Sequence, residues 1–342
     1  MKKELLLKTL ALGIIVLFVG SGVVSAFNID NKSEPLNNGN WLYVGGSGEG
    51  NYTKIQDAID NASDGDTIYV FNGIYYENVR VTKSIDLLGE NQMLTFIDGQ
   101  ETGGHVVSIL AADVTFYHFT IQNPGGIPNA AALYVNSDSN QIIENIVTCI
   151  PHHGEEGIWL SQSSGNIISK NSIENHHYGI WLEDSTQNNL SNNKVTTSWI
   201  WGIILGNSNN NMLYQNYITE NNGGIYLRDS SENMLFGNNI TKNTRGVALV
   251  ESVSTSSNNK ILKNNFMKNK DFDASFELAK KSHAKNLWEE NYWNRPLLLP
   301  KLIVGGKEFL FIPGIPFHFP GMKIFLPWFN FDWHPAKKPY DI

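Results

Sequence analysis

The chain has 342 residues, of which 25 are basic and 33 acidic, and its formal net charge is −8 at pH 7 with histidine neutral. This acidic balance argues against nucleic acid as a partner, and it disfavours uronic-acid polymers unless a cation such as Ca²⁺ bridges the two negative surfaces. The single cysteine, Cys149, excludes both an intramolecular disulfide and a cysteine-rich metal site.

The N-terminus predicts a secretory signal peptide over residues 1–26. Met1-Lys2-Lys3 is followed by an apolar run from Leu10 to Val19 and by the small-residue segment Val24-Ser25-Ala26. Cleavage after Ala26 removes three lysines and one glutamate, which changes the net charge from −8 to −10 and leaves no membrane span. An uncleaved N-terminal anchor is the alternative. We expect a protein that is secreted, held at the cell surface or periplasmic, and the absence of disulfides favours a bacterial or archaeal source.

A helix is predicted over residues 51–62, after a flexible segment at 27–50. Four apolar residues there follow helical spacing, namely Ile55, Ala58, Ile59 and Ala62. Thr53 and Gln56, three residues apart, form a predicted capping box. Strand-like sequence resumes at residues 67–70, so we expect the helix to cover the first coil of a strand-rich region.

The main body of the chain carries a repeat. Five segments begin with glycine, from Gly157 to Gly246, at intervals of 22, 23, 22 and 22 residues. Apolar and polar positions alternate after each glycine, which is typical of a strand. An asparagine stands fourteen residues after four of these glycines, at Asn171, Asn193, Asn216 and Asn238. This period predicts an all-β fold, a parallel β-helix over residues 51–295 with about 22 residues per coil and stacked asparagines inside.

The last part of the chain, residues 296–342, is rich in proline and aromatic residues. Its prolines argue against a membrane helix. We predict an irregular cap on the last coil, because a solenoid must cover its open end. The alternative is an adhesive surface for the cell wall or for a protein partner in the envelope.

Several segments carry a resemblance to known proteins. Four segments resemble the opening of pectin-lyase-like right-handed β-helix proteins: Tyr52-Thr53-Lys54-Ile55-Gln56-Asp57-Ala58-Ile59, Gly65–Val70, Gly73–Asn78 and Lys83–Glu90. The repeats and the Asn291-Tyr292-Trp293 ending resemble the NosD-like branch, also described as carbohydrate-binding and sugar-hydrolase repeats. The resemblance covers residues 50 to 295 and implies the right-handed parallel β-helix with an N-terminal cap. NosD itself is a periplasmic accessory in the copper-site maturation of a reductase, so the resemblance implies such a role as one alternative function.

The resemblance does not extend to catalytic motifs. Residues 114–123 resemble pectin methylesterases, yet the Gln-Asp-Thr-Leu and Asp-Phe-Ile-Phe-Gly segments that carry the catalytic carboxylates of those enzymes are absent. Of the Asn-x-Asp, Asp-Asp and Gly-His-Gly segments of polygalacturonases, the Asp-Asp and Gly-His-Gly segments are absent as well. The resemblance therefore predicts a fold and leaves the activity open.

Outward-facing aromatic residues are the first candidate site. They stand two residues after the repeat glycines, with one further member in a looser coil: Tyr134, Trp159, Trp181 and Tyr226, interrupted by Ile204. Exposed rings at the coil spacing suit a polysaccharide or cell-envelope glycan, since sugar rings lie on apolar rings while polar neighbours bond the hydroxyls. The alternative is that these rings cover the sheet or receive the tail.

Charged residues two and three positions further along are the second candidate: Glu183, Asp184, Arg228 and Asp229. Paired carboxylates can act as general acid and base in glycoside hydrolysis, which makes a polysaccharide lyase or hydrolase an alternative function. Asp184 and Asp229 are two coils apart, about 10 Å, which is long for such a pair. A solvated charged turn is the competing interpretation.

Paired histidines are the third candidate: His152, His153, His176 and His177, with Glu155 and Glu156 beside the first pair. Such donors could hold copper or zinc, which fits a NosD-like copper-handling accessory. Ordinary turn histidines are the alternative. Our leading hypothesis is a non-catalytic surface protein that binds polysaccharide along its aromatic face and needs no cofactor.

Overall fold

The computed structural model describes residues 39–125, 130–149, 155–279, 285–309 and 324–342. The predicted signal peptide and the first half of the segment expected to be flexible, residues 27–38, lie outside these residues. The second half of that segment contains a strand, Trp41–Val44, which pairs with the first coil. Strands dominate the described chain and stack into three parallel ladders, A, B and C, which follow one another in that order around each coil. This arrangement confirms the predicted parallel β-helix.

Ladder A contains the strands β1 (Trp41–Val44), β2 (Thr67–Val70), β5 (Asp86–Gly89), β8 (Thr115–Tyr117), β11 (Gln141–Ile143), β14 (Ile167–Ser169), β17 (Asn189–Ser191), β20 (Met212–Tyr214), β23 (Met234–Phe236), β26 (Lys260–Leu262), β29 (Leu287–Glu289) and β32 (Ile324–Asp332). Ladder B contains the strands β3 (Gly73–Tyr76), β6 (Thr95–Asp98), β9 (Thr120–Gln122), β12 (Ile146–Thr148), β15 (Ser172–Glu174), β18 (Lys194–Thr196), β21 (Tyr217–Thr219), β24 (Asn239–Thr241), β27 (Asn265–Met267) and β30 (Tyr292–Trp293). Ladder C contains the strands β4 (Val79–Val81), β7 (Val107–Ile109), β10 (Ala131–Val135), β13 (Glu156–Ser161), β16 (Tyr178–Glu183), β19 (Trp201–Gly206), β22 (Gly223–Arg228), β25 (Arg245–Val250), β28 (Phe272–Leu278) and β31 (Lys301–Phe309).

The coil length agrees with the repeat only in the middle of the solenoid. Between Ile167 and Met234 the partners in ladder A are 22 or 23 residues apart. Elsewhere most coils are longer, for example 26 residues from Met234 to Lys260 and 29 from Asp86 to Thr115, whereas the coil from Thr67 to Asp86 has only 19. The additional residues lie in the corners between ladders, so the strands keep their register.

Aliphatic and aromatic columns fill the interior. In ladder A one column of fully buried side chains runs from coil to coil through Leu87, Phe116, Ile142, Ile168, Leu190, Leu213, Leu235, Ile261 and Trp288. Alternation explains it, because neighbouring residues of a strand point to opposite faces of the sheet. Burial of each such side chain contributes about 1.5–3 kcal/mol.

The repeat glycines mark a close approach between coils. A Cβ atom on Gly179 would lie 2.4 Å from Cγ1 of Val195 and 2.6 Å from the carbonyl oxygen of Gly202 in the next coil. Gly157, Gly202 and Gly224 meet the same two kinds of neighbour. Only glycine fits where the backbone of ladder C passes over the coil below, and this explains the motif that defined the repeat.

The predicted asparagine ladder is present and longer than expected. It runs from Asn145 to Asn291 through the corner between ladders A and B, and each Nδ2–H donates to Oδ1 of the next asparagine at 2.9–3.1 Å. A second ladder, from Asn140 to Asn286, precedes ladder A and was not predicted. The amide group suits both ladders because it donates and accepts at once.

The N-terminal helix, α1 (Ile55–Asn61), buries Ile55, Ala58 and Ile59 over the first coil, as predicted. The capping box was wrong. Lys54 is the N-cap and makes no side-chain cap bond, whereas Glu77 accepts hydrogen bonds from the backbone N–H groups of Ile55 at 2.8 Å and Gln56 at 3.0 Å. A carboxylate from the next coil thus satisfies the free N–H groups and suits the positive end of the helix dipole.

The C-terminal segment differs from the irregular cap that we predicted. β31 and β32 form an antiparallel hairpin, in which β31 extends ladder C and β32 extends ladder A. Farther on, Tyr340 exchanges two hydrogen bonds of 2.9 Å with the Asn265 side chain on ladder B. Among the described residues no helix is both long and apolar enough to cross a membrane.

Candidate functional site

The predicted aromatic residues form one column on the outer face of ladder C, which we call the outer column. Direct register partners follow one another in the order Tyr134, Trp159, Trp181, Ile204 and Tyr226. Ile158 and Leu160, on either side of Trp159, are fully buried, whereas Trp159 is partly exposed. The column continues with Ala248 and Ser275, so its aromatic part is confined to the middle of the solenoid.

The rings of the outer column pack on one another. Trp159 and Trp181 are nearly parallel, at 6°, with centroids 4.8 Å apart, and the edge of Tyr134 meets Trp159 at 5.1 Å. Because parallel rings touch at about 3.5 Å, a centroid distance of 4.8 Å means that the two indoles are offset. The sequence suggested open ring faces, but here each face is partly covered by the next ring, and a ligand would meet ring edges and partial faces.

Three aromatic residues near the outer column were not predicted. His105 stacks on Tyr134 with centroids 4.3 Å apart. Trp201 is buried and stacks on Tyr226 at 4.9 Å, and Tyr178 meets Trp181 at 5.6 Å. Tyr178 and Trp201 each directly precede a repeat glycine and pair with each other. That position was visible in the repeat, but the backbone irregularity at the glycine, which turns both residues outward, was not.

A charged pair flanks the rings. Glu183, Gly206 and Arg228 are successive register partners. A Cβ atom on Gly206 would lie 3.4 Å from Nη2 of Arg228 and 3.9 Å from Nε1 of Trp181, so the guanidinium extends over the glycine toward the indole. Neither the Glu183 nor the Arg228 side chain makes an ion pair within the described chain. The arrangement therefore presents an acceptor and a donor beside the aromatic rings.

The environment of Glu183 favours its protonated form. Burial raises the pKa of the Glu183 carboxyl and the negative charge of Asp184 acts in the same direction, while the positive charge of Arg228 and the indole N–H of Trp159 oppose both. The indole N–H of Trp181 is buried and has no hydrogen-bond partner among the described residues. The Glu183 carboxyl is partly exposed and is able to bond hydroxyl groups of a ligand.

The other two catalytic candidates do not join this arrangement. Asp184 is exposed at a corner, with a φ of +50°. Asp229 is buried, and its Oδ1 accepts hydrogen bonds from the backbone N–H groups of Ser252, Val253 and Ser254 at 2.6, 3.0 and 3.1 Å. Asp229 therefore holds the loop that follows β25, and its carboxylate is already occupied by the protein.

The predicted metal ligands are dispersed. His152 and His153 lie outside the described residues. His176 is buried inside the coil, where burial lowers its pKa to about 4, whereas His177 is partly exposed with Nδ1 3.8 Å from Oε1 of Glu156. Burial raises the pKa of the Glu156 carboxyl to about 8, and that of Cys149 to about 12. In the part of the chain that the structure describes, no three His, Cys, Asp or Glu side chains form a group that could hold a metal ion.

A family model described as periplasmic copper-binding protein (NosD) matches residues 59–307, which is well over half of the chain. The described donors do not fit the copper ion in that description, because His176 is buried inside the coil, His177 is partly exposed, and no group of three possible ligands forms among the described residues.

Solved structures show the same architecture. A mutant DFA-IIIase from Arthrobacter chlorophenolicus, bound to DFA-III, matches with a TM-score of 0.55 and 12% sequence identity, over 79% of this chain and 85% of that one. The same enzyme without its lid, bound to GF2, matches with a TM-score of 0.53 and 12% identity, over 75% and 88%. At such low identity the likeness concerns the fold alone.

One curated sequence is similar over a shorter stretch. Probable pectinesterase/pectinesterase inhibitor 44 from Arabidopsis thaliana is 37% identical over 113 residues, which is 27% of this chain and 21% of that protein. The match therefore spans about a fifth of the plant protein's length.

Proposed function

The chain belongs to the NosD family, and from that premise we propose that it is an exported protein that binds a polysaccharide along the outer face of ladder C without cleaving it. The observation that carries this proposal is the in-register stack of Tyr134, Trp159 and Trp181 beside the side chains of Glu183 and Arg228. Apolar ring surface next to hydrogen-bonding groups is what a sugar requires of a binding surface.

The stack remains accessible in the described chain. The C-terminal segment after β32 contacts ladder B through Asn265 and the carbonyl oxygen of Glu290, not the outer column. Trp159 and Trp181 keep part of their surface exposed. The indoles lie outside the buried interior, which other side chains already fill. Their stacked and partly exposed position therefore favours a ligand role over a purely structural one.

The charges around the outer column favour an uncharged glycan. Glu183 and Asp184 lie on one side of Arg228, and Glu277 lies two coils further along the same column as Arg228. A uronic-acid polymer would place its carboxylates against these groups, at a cost that only a bridging cation could offset. Neutral hydroxyl groups would instead accept from Arg228 and donate to Glu183.

We propose binding without cleavage because the Asp229 carboxylate is not free to take part in hydrolysis. Hydrolysis requires two carboxyl groups flanking one glycosidic bond. The Asp229 carboxylate already accepts hydrogen bonds from three backbone N–H groups. Of the two aspartates, only the exposed Asp184 is then left as a second carboxylate for Glu183.

The test is binding to a panel of soluble neutral glycans and to polygalacturonate, measured by calorimetry with and without Ca²⁺, together with reducing-sugar release. We expect micromolar to millimolar binding of at least one neutral glycan without product formation. Trp181→Ala should weaken that binding at least about tenfold, because it removes a large ring surface. The matched control is Tyr214→Ala, which removes a ring that stacks on Phe236 at 5.8 Å on the outer face of ladder A. No binding by the wild type, or equal binding by the Trp181 variant, rejects the proposal.

A further inference from the structure

The outward face of the C-terminal hairpin is apolar. Leu302 pairs with Phe331, and Val304 pairs with Phe329, directly across the two strands. All four side chains are exposed, by 38–53%, whereas Ile303 between them is buried against the last coil. Trp333 stacks on Phe331 with centroids 4.9 Å apart and is 62% exposed. We call these residues the hairpin face: Leu302, Val304, Phe329, Phe331 and Trp333.

The hairpin face is more continuously apolar than the outer face of ladder A before it. The corresponding outward column of ladder A mixes polar and apolar residues, since Ser169 and Ser191 are followed by Tyr214 and Phe236. Two further leucines just before the hairpin, Leu298 and Leu299, are largely exposed, by 94% and 77%. A contiguous apolar patch of this kind is uncommon on a protein that has no partner for it.

The last segment of the chain carries a charge opposite to that of the rest, although Glu289 and Glu290 of the last coil lie beside it. Residues 296–342 contain five lysines and three carboxylates, and one of these carboxylates, Asp332, is buried and hydrogen-bonded inside the protein. The whole chain nevertheless has a net charge of −8, so the remainder is strongly acidic. The apolar patch and the positive charge therefore occupy the same end of the molecule.

We propose that the hairpin face docks on the surface of an anionic lipid bilayer. Leucine, valine and phenylalanine side chains would enter the interfacial region, Trp333 would lie at headgroup depth, and lysines such as Lys337 and Lys338 would meet the lipid phosphates. The acidic coils would be repelled by the same surface, so the solenoid would stand away from it with the outer column free. Two strands cannot cross a bilayer, so this is a surface contact.

The charge pattern favours a bilayer over another protein, because an anionic bilayer provides both an apolar region for the hairpin face and negative charges for the lysines.

The test is co-sedimentation of the purified protein with vesicles of phosphatidylglycerol and phosphatidylcholine, compared with phosphatidylcholine alone. We expect binding to the anionic vesicles only, weakened by salt. The Phe329→Ser, Phe331→Ser double variant should lower the partition coefficient at least about tenfold. Lys337→Glu with Lys338→Glu should lower it at least about fivefold.

The matched control is the Ile74→Ser, Tyr76→Ser double variant, which removes two side chains of similar exposure (54% and 59%) at the other end of the solenoid. It should sediment as the wild type does, and thermal melting should show that all variants are folded. The proposal is overturned if the wild type ignores anionic vesicles or if the hairpin variant binds them equally well. It is also overturned if, without lipid, the wild type dimerises through this face and the hairpin variant does not, because a second copy is then the partner.

Discussion

Asp332 ends the asparagine ladder of the corner between ladders A and B. Its Oδ2 accepts the backbone N–H of Asn291 at 3.0 Å and the side-chain Nδ2–H of the same residue at 3.2 Å, as each asparagine Oδ1 does for the residue before it. The indole N–H of Trp293 donates to the same oxygen at 2.9 Å. A carboxylate is well suited to this end, because the aligned amide dipoles of the ladder present their N–H groups to it.

Replacement of Asp332 should therefore loosen the last coils. Asp332→Ala removes the acceptor of the Asn291 backbone N–H, of one Asn291 side-chain N–H and of the Trp293 indole N–H, all in a buried place. We expect a loss of about 2–4 kcal/mol in the free energy of unfolding. Asp332→Asn keeps an acceptor oxygen and should cost less than half as much. Chemical denaturation measures both changes, and hydrogen exchange should show the loss at β27, β29 and β30 first. Equal stability of the two variants would contradict this role.

The interior of the ladder should be equally sensitive. Asn193 accepts from both N–H groups of Asn171 and donates to the carbonyl oxygen of Ile168 at 2.8 Å. Asn193→Ala should lower the free energy of unfolding by about 2–3 kcal/mol, because the four buried hydrogen bonds of this side chain are lost. Lys194→Ala, at an exposed position of β18 in the same coil, is the control. An Asn193 variant as stable as that control would show that the ladder is dispensable.

The repeat glycines offer a test of coil contact. Gly179→Ala brings a methyl group to within 2.4 Å of a side chain and 2.6 Å of a backbone oxygen, and we expect a loss of about 2 kcal/mol or more, or failure to fold. Gly206→Ala meets nothing nearer than 3.4 Å and should melt within a few degrees of the wild type. Melting temperatures of the two variants provide the comparison, and similar values would mean that the coils can separate freely.

Glu156 should make stability depend on pH. Its folded pKa of about 8 is above the ordinary value of 4.5, so the folded state binds the proton more tightly and stability is lost as pH rises from 4.5 to about 8. His176 acts in the opposite direction between about 4 and 6.5, because its folded pKa is lowered. Above pH 6.5 only Glu156 of these two groups changes the stability with pH. Between pH 6.5 and pH 8 it should lower the free energy of unfolding by about 2 kcal/mol.

The measurement is the free energy of unfolding at pH 6.5 and pH 8 for the wild type and for Glu156→Gln. The difference between them should grow with pH in favour of the variant. Glu174→Gln, on the outer face of ladder B, serves as the control and should follow the wild type. If the wild type instead became more stable relative to Glu156→Gln as pH rises, the predicted effect of Glu156 would be contradicted.

Periodic features were predictable from the sequence and aperiodic ones were not. Trp159 and Trp181 were placed in register because their glycines are 22 residues apart, and the same spacing located Asn171 and Asn193 on one ladder. The cap of α1 by Glu77 joins residues from two coils and has no local signature. The hairpin was missed because its partners, such as Val304 and Phe329, are joined by no repeat.

The candidate site was predictable in position more than in detail. Alternation placed Glu183 and Arg228 on the same face as the rings, and the register of Gly206 between them follows from the repeat. The involvement of Trp201 depends on a backbone irregularity at Gly202 that alternation does not show. The occupation of Asp229 depends on the loop after β25, whose length varies between coils.

The central claim is that ladder C binds glycan on its outer column, and a crystal structure with a bound oligosaccharide from the panel tests it most directly. We expect the sugar rings to contact Trp159 and Trp181, with hydroxyl groups bonded to Glu183 and Arg228. An oligosaccharide bound elsewhere, for example on the outer face of ladder A, with the outer column empty, would contradict the account.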